Sequence, residues 1–177
     1  MSAERSAARP RPFESIRDRK ALEPERPGFA VDLRRCIGCH ACSVACKTAH
    51  EVPLGEFPLR VRWLPRPDAE TYAFLPVFSE TLCHDDAESL EAGLEPACVR
   101  ACPTDALAFG DLEDASSSVA RAVASGETRR LEELAAPNAT DLKQDVFYRG
   151  LPDWIGGKLN RGAALDPRDE DPIYEQR

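Results

Sequence analysis

Four cysteines fall within eleven residues of this chain, in the run Cys36-Ile-Gly-Cys39-His-Ala-Cys42-Ser-Val-Ala-Cys46, a C-x2-C-x2-C-x3-C pattern. Cysteines crowded into one short loop are poor disulfide partners. Three more, Cys83, Cys98 and Cys102, bring the count to seven, which leaves one over in any pairing scheme. Structural zinc draws its thiolates as two pairs from separated knuckles rather than four from one loop. A cubane iron–sulfur group suits the run better, because three thiolates from one loop can meet three of its corners, and the fourth cysteine of such a run ligates the other cluster in a two-cluster protein. Gly38 and Ala41 are small enough to let backbone N–H groups approach the sulfides.

The remaining cysteines supply the complement. Cys98-Val-Arg-Ala-Cys102-Pro103 is a C-x3-C-P motif. In two-cluster ferredoxins the cysteine before this proline crosses to the first cluster. Cluster I, a four-iron, four-sulfide group, is then expected on Cys36, Cys39, Cys42 and Cys102, and cluster II on Cys46, Cys83 and Cys98. Cluster II is one thiolate short. In Ser79-Glu80-Thr81-Leu82-Cys83-His84-Asp85-Asp86 a C-x2-C pair has only one member. Glu80 occupies the vacancy if Cys83 is the second of the pair, and Asp86 if it is the first; the Thr-Leu-Cys wording favours Glu80. Three outcomes stay open: a three-iron, four-sulfide cluster on three thiolates, which is the first expectation; a cube with an oxygen ligand from Glu80, Asp85 or Asp86 or an imidazole from His84; or no second cluster. A lost thiolate removes negative charge beside the metal and raises its potential.

Other chemistries find little support. The chain carries a formal net charge of −8, with 42% hydrophobic and 31% charged residues. That balance suits one modest core and disfavours nucleic-acid binding. No run of eighteen apolar residues is present, so no membrane span is expected. The N-terminus lacks the hydrophobic stretch of a secretory signal. There is no nucleophile elbow, glycine-rich phosphate loop or dinucleotide fingerprint. The histidines His40, His50 and His84 have no i,i+4 metal-binding partner; His40 and His50 are expected near cluster I or in solvent.

Four segments are expected. Residues 1–28 form an extended arm with prolines at 10, 12, 24 and 27, and residues 1–35 carry a balance of +3 against −11 for the rest. Residues 29–112 form an α+β, ferredoxin-like iron–sulfur domain. Within it Phe29–Leu33 and Ala106–Phe109 are strands that can pair, Leu59–Trp63 alternates as a strand, Tyr72–Phe78 is an edge strand because of Pro76, and a helix starts near Cys46. Residues 113–137 hold two helices, Ser116–Ser125 and Thr128–Ala136, stopped by Gly126 and Pro137. Residues 138–177 are a long, mostly irregular extension whose Phe147, Tyr148, Trp154 and Tyr174 suggest a tail laid across a partner.

The stretch from Cys36 through Lys47 to Val52-Pro-Leu-Gly55, and the stretch Glu91-Ala-Gly-Leu-Glu-Pro-Ala-Cys98 through Leu112, resemble the first and last cysteine motifs of the iron–sulfur subunits of molybdopterin oxidoreductases, the dimethyl sulfoxide, polysulfide and thiosulfate reductase type. Lys47, rather than proline, after the fourth cysteine is typical of that group. Its members carry four cysteine motifs; here the middle two are missing, and the resemblance implies that the outer two fold together. It further implies a non-catalytic electron-transfer subunit docked to a molybdenum or tungsten catalytic subunit, with a quinone-binding membrane subunit, a cytochrome or a soluble carrier at the far end. An autonomous soluble ferredoxin, an iron–sulfur redox sensor and a zinc-stapled module are the alternatives. The expected location is the cytoplasm, with export to the periplasm alongside a signal-bearing partner as the alternative.

Overall fold

The computed structural model describes residues 21–67, 70–134 and 142–159. The elements in chain order are β1 (Pro27–Asp32), α1 (Ala41–Ala49), β2 (Leu59–Pro65), β3 (Tyr72–Phe78), α2 (Ala87–Glu91), α3 (Ala97–Arg100), β4 (Leu107–Asp111), α4 (Ser118–Ala124), β5 (Thr128–Arg129), a 3-10 turn at Leu131–Glu133, β6 (Val146–Arg149) and α5 (Trp154–Leu159). Four strands form one sheet in the order β4-β1-β6-β5, and β2 and β3 form a separate antiparallel pair.

The expected pairing of the segment before the first motif with the segment after the last is present. β1 and β4 run antiparallel with Phe29 opposite Phe109. Alternation along β1 sends Phe29 and Val31 into the core, each 1% exposed. The Phe29 ring lies 4.8 Å from that of Phe78 and 5.0 Å from that of Phe109, so one aromatic side chain ties the β2–β3 pair to the four-stranded sheet. Pro76 sits within β3, opposite Val61, and β3 is an edge strand, where a residue without an N–H costs no ladder bond.

The expected C-terminal tail is corrected by the structure in its described part. Residues 142–159 are not an irregular extension. β6 inserts between β1 and β5, parallel to β1, with Phe29 opposite Val146. Tyr148 is buried and its hydroxyl donates to the Pro76 carbonyl at 2.7 Å. Ile155 of α5 is fully buried. The aromatic residues that suggest interface anchors in the sequence include core residues of the chain itself. Tyr174 and the rest of the expected tail, residues 138–141 and 160–177, lie outside the described residues.

Three boundaries also move. The first helix begins at Ala41, inside the cysteine run, and so carries both Cys42 and Cys46. The expected helix at Thr128–Ala136 is instead β5 followed by the 3-10 turn, because Thr128 and Arg129 pair with Arg149 and Tyr148 of β6. The helix expected at Ser116–Ser125 is α4, capped by the Ser117 hydroxyl, which accepts from the Ala120 N–H at 3.0 Å. Of the expected N-terminal arm, residues 1–20 are outside the described residues. Its inner end is held by this chain: Leu22 N–H donates to the Leu90 carbonyl at 2.8 Å, and Glu25 and Arg26 N–H groups donate to the Asp111 carboxylate.

Candidate metal centres

The seven thiols fall into two groups, and each group lines its own cavity. Cys36, Cys39, Cys42 and Cys102 line a narrow cleft beside Pro103 and Thr104, site I. Cys46, Cys83 and Cys98 line a larger cavity of about 210 Å³, site II, together with His84, Asp85 and Asp86. The thiols thus gather in the two groups that the motif spacing suggests.

Local structure explains the division. Cys42 and Cys46 lie four residues apart on α1, while Cys98 lies on α3 and Cys102 just past its end. Four residues of helix advance about 6 Å along the axis. Each segment therefore sends one thiol to each cavity, and this advance sets how close the two sites can be. Cys36 and Cys39 come from the loop that leads into α1. That loop turns at Gly38, whose φ is +69° and where an added Cβ would stand 2.3 Å from the Phe74 ring. Only glycine fits under Phe74 there.

Burial makes most of these thiols reluctant to ionise alone. Desolvation pushes Cys42 up to about 11. It pushes Cys46 up to about 12, helped by the neighbouring Cys83, Asp86 and Cys42. Burial, then Cys83 and Cys46, hold Cys98 well above the ordinary thiol range. Cys102 is the exception. Burial acts to raise it, but N–H groups of Thr104, Ala106 and Leu107 and the Thr104 hydroxyl together bring it below the ordinary value; the Ala106 N–H lies 3.2 Å from its sulfur. Thiols gathered this way need a cationic partner to become thiolates, which is what binding a metal group provides. Among the described residues no three His, Cys, Asp or Glu side chains close on a single ion. The thiols are spread around two cavities.

The residues considered for the vacancy at site II separate clearly. Glu80 does not line the cavity; its carboxylate accepts the Gln144 N–H at 3.2 Å. Asp86 lines the cavity but uses one oxygen on the Ser89 N–H at 3.2 Å, capping α2, and the other on the Ala97 N–H at 2.6 Å, just before Cys98. His50 Nε2 stands 3.6 Å from Asp86 at the same cavity, rather than at site I. His84 and Asp85 both line it. His40 lies at site I, where the Trp63 ring N–H donates to its Nε2 at 3.1 Å.

One residue beside the site carries no signal in the sequence. Lys143 Nζ lies 3.2 Å from Asp85 Oδ2 and 3.4 Å from the Cys83 carbonyl, with its side chain only 11% exposed. Burial acts to lower its pKa, yet Cys83, Asp85 and Glu80 outweigh it and raise it, so the ammonium is kept. It stands sixty residues after Cys83, in a segment with no motif. Lys47, singled out with the first motif, has a structural role: its ammonium donates to the Pro53 and Glu56 carbonyls at 2.8 and 2.6 Å and pins the loop after α1.

The site thus defines a chain with two adjacent thiol-lined centres fed by interleaved cysteines. No protein-family profile matches it. Individual relatives do. The chain is 34% identical over 130 residues to a Halobacterium salinarum protein provisionally named as a dimethyl sulfoxide reductase iron-sulfur subunit, covering 73% of this chain and 48% of that one. It is 34% identical to one of the chains of the polysulfide reductase of Wolinella succinogenes, over 69% of this chain and 54% of the relative. It is 38% identical to the thiosulfate reductase electron transfer subunit PhsB of Salmonella typhi, over 68% and 52%. The kinship expected from the motif wording is borne out. The chain spans about half the length of the curated relatives it matches.

Proposed function

We propose that this chain is a non-catalytic iron–sulfur subunit that relays single electrons between a molybdopterin (molybdenum or tungsten) catalytic subunit and a donor or acceptor, built on a ferredoxin-like two-cluster core. The observation that carries this reading is the interleaving of two thiol sets by α1 and α3, with Cys36, Cys39, Cys42 and Cys102 at one cavity and Cys46, Cys83 and Cys98 at the next. Iron–sulfur groups bound there supply one-electron storage; the protein supplies binding, spacing and shielding.

Each part of that task has residues. The four thiols of site I suit a four-iron, four-sulfide cluster, and the three of site II suit a three-iron cluster or a cube with a ligand other than cysteine. The helical offset of about 6 Å between successive thiols keeps the two centres close enough for direct transfer. Phe29 lines site II, and Phe74 packs over the Gly38 turn of the loop that carries Cys36 and Cys39. Cys39 is exposed, and Ile37 beside it is 56% exposed. An electron therefore leaves or enters most readily at the rim of site I, where a partner would dock. The reducing chemistry of the thiols suits assembly in the cytoplasm, alone or before export with a partner. Among the described residues no helix is long and apolar enough to cross a membrane.

A second reading, an autonomous soluble carrier, is favoured by one observation: residues 142–159 fold into the chain's own core, leaving less of it to wrap a partner. Purification from the native source without oxygen separates the two. The expected result is iron together with molybdenum or tungsten and a large co-purifying chain. Iron on a lone chain would support the carrier, and a colourless zinc protein would contradict both.

A further inference from the structure

Site II has three thiols where site I has four, and the side chains around it differ in what they have left to give. Asp86 has spent both carboxylate oxygens on backbone N–H groups, and Glu80 points to Gln144. Asp85 is different. It lines the cavity, its Oδ2 is held by Lys143 at 3.2 Å, and its Oδ1 is buried with no hydrogen-bond partner. A buried polar atom left unpaired is costly, and more so when charged, so a native protein seldom leaves one without a use.

We propose that Asp85 Oδ1 is the fourth protein ligand at site II, completing with Cys46, Cys83 and Cys98 a four-iron cluster, while Lys143 fixes the other oxygen. The inference rests on the reading of site II as an iron–sulfur centre. Ligation adds one Fe–O bond from a carboxylate lone pair and changes no oxidation state. Carboxylate oxygen is an accepted donor to iron, and a ligating carboxylate is normally oriented by an outer hydrogen-bonding partner, the part Lys143 plays. The loop is set for the task. Asp85 and Asp86 both adopt left-handed backbone, φ +56° and +58°, a conformation that aspartate tolerates better than most residues. Asp85 also donates its backbone N–H to the Cys83 sulfur. One short turn thereby presents a thiol and a carboxylate to the same cavity. With one thiolate replaced by a carboxylate and an ammonium close by, site II should take an electron more readily than site I.

The test is iron and sulfide content with Mössbauer and EPR spectra of the full chain purified without oxygen. The unsubstituted protein is expected to hold about eight irons per chain, as two four-iron clusters, one of those irons distinct from the thiolate-ligated rest in the Mössbauer spectrum. Asp85→Ala should lose about one iron and gain the oxidised-state EPR signal of a three-iron cluster. Asp85→Cys should keep the full iron content and lower the potential of site II, and Glu80→Ala should change neither count nor signal. The Asp85 assignment is overturned by about seven irons and the three-iron signal in the unsubstituted protein, or by loss of the iron on Glu80→Ala but not on Asp85→Ala. The unsubstituted iron count needs no variant, so about seven irons there overturns the assignment even where a variant fails to fold. About four irons or fewer in the unsubstituted protein would instead contradict the two-cluster reading itself.

Discussion

Site I and site II draw on the same two helical segments but are completed differently. Site I closes within its own motifs: three thiols from the first cysteine run, one from the last, and the amides after Cys102 to favour its thiolate. Site II takes one thiol from each of three places, and its Asp85 is held from beside the cavity by Lys143, far along the chain. The first is specified by two recognisable motifs, although Cys102 comes from far along the chain. The second also draws on a segment without a motif, which brings Lys143 to Asp85 where Leu142 bridges Ser79 and the Lys143 N–H donates to the Phe78 carbonyl.

The largest expected effect breaks site I alone. Cys102→Ser should remove about half of the iron and lower Tm by roughly 10 °C or more, since a bound metal group contributes directly to folding. Iron analysis and calorimetry on the purified chain check it; full iron and an unchanged Tm would sink the ligand set. Lys143→Met should act on site II. It leaves the buried Asp85 carboxylate without its ion pair, a loss of about 3 kcal/mol in denaturant unfolding. A potential that falls at site II and holds at site I would mark it as a positioning residue, whereas equal shifts at both sites would erase the contrast.

Gly38→Ala is expected to cost about 2 kcal/mol and to weaken iron binding at site I, because the turn needs positive φ and the Phe74 ring fills the space. Retention of site I iron under a mild chelator would contradict this. Tyr148→Phe removes only the donor to the Pro76 carbonyl, for about 1 kcal/mol, and should leave both iron signals in place.

The smallest effect is a pH dependence at the N-terminal arm. Backbone N–H groups of Glu113, Glu25 and Arg26 hold the Asp111 carboxyl below the usual carboxylate range. A carboxyl lowered in the folded state stabilises it above its unfolded pKa and stops doing so as pH falls through the folded value. The Glu25 and Arg26 amides should therefore keep their protection at neutral pH and lose it in acid, as hydrogen exchange would show. Protection unchanged in acid would remove Asp111 from this role.

The contrast between the sites is also a contrast in legibility. Cysteine spacing alone suggests both thiol groups, because ligands two to four residues apart report the shape of what they hold. The β1–β4 pairing is readable because each strand adjoins a motif. In the sequence Asp85 is only one of several oxygens near Cys83, and nothing there points to Lys143, since neither residue belongs to a repeat. β6 escapes sequence reading because its four residues carry too short a pattern and pair in parallel with a strand far away in sequence. The same strand explains the misplaced helix: Leu131 and Leu134 form a real apolar stripe, but β5 pairing fixes the chain just before it and leaves only a 3-10 turn.

By this proposal α1 and the α3 segment interleave the ligands of two redox centres, each segment giving one thiol to each centre. An EPR-monitored redox titration of the anaerobically purified chain tests this most directly. The expected result is two reduction steps, site II at the higher potential, with the spectra broadened or split by magnetic coupling once both centres are paramagnetic. A single uncoupled signal, or a protein with no redox-active iron, would contradict it.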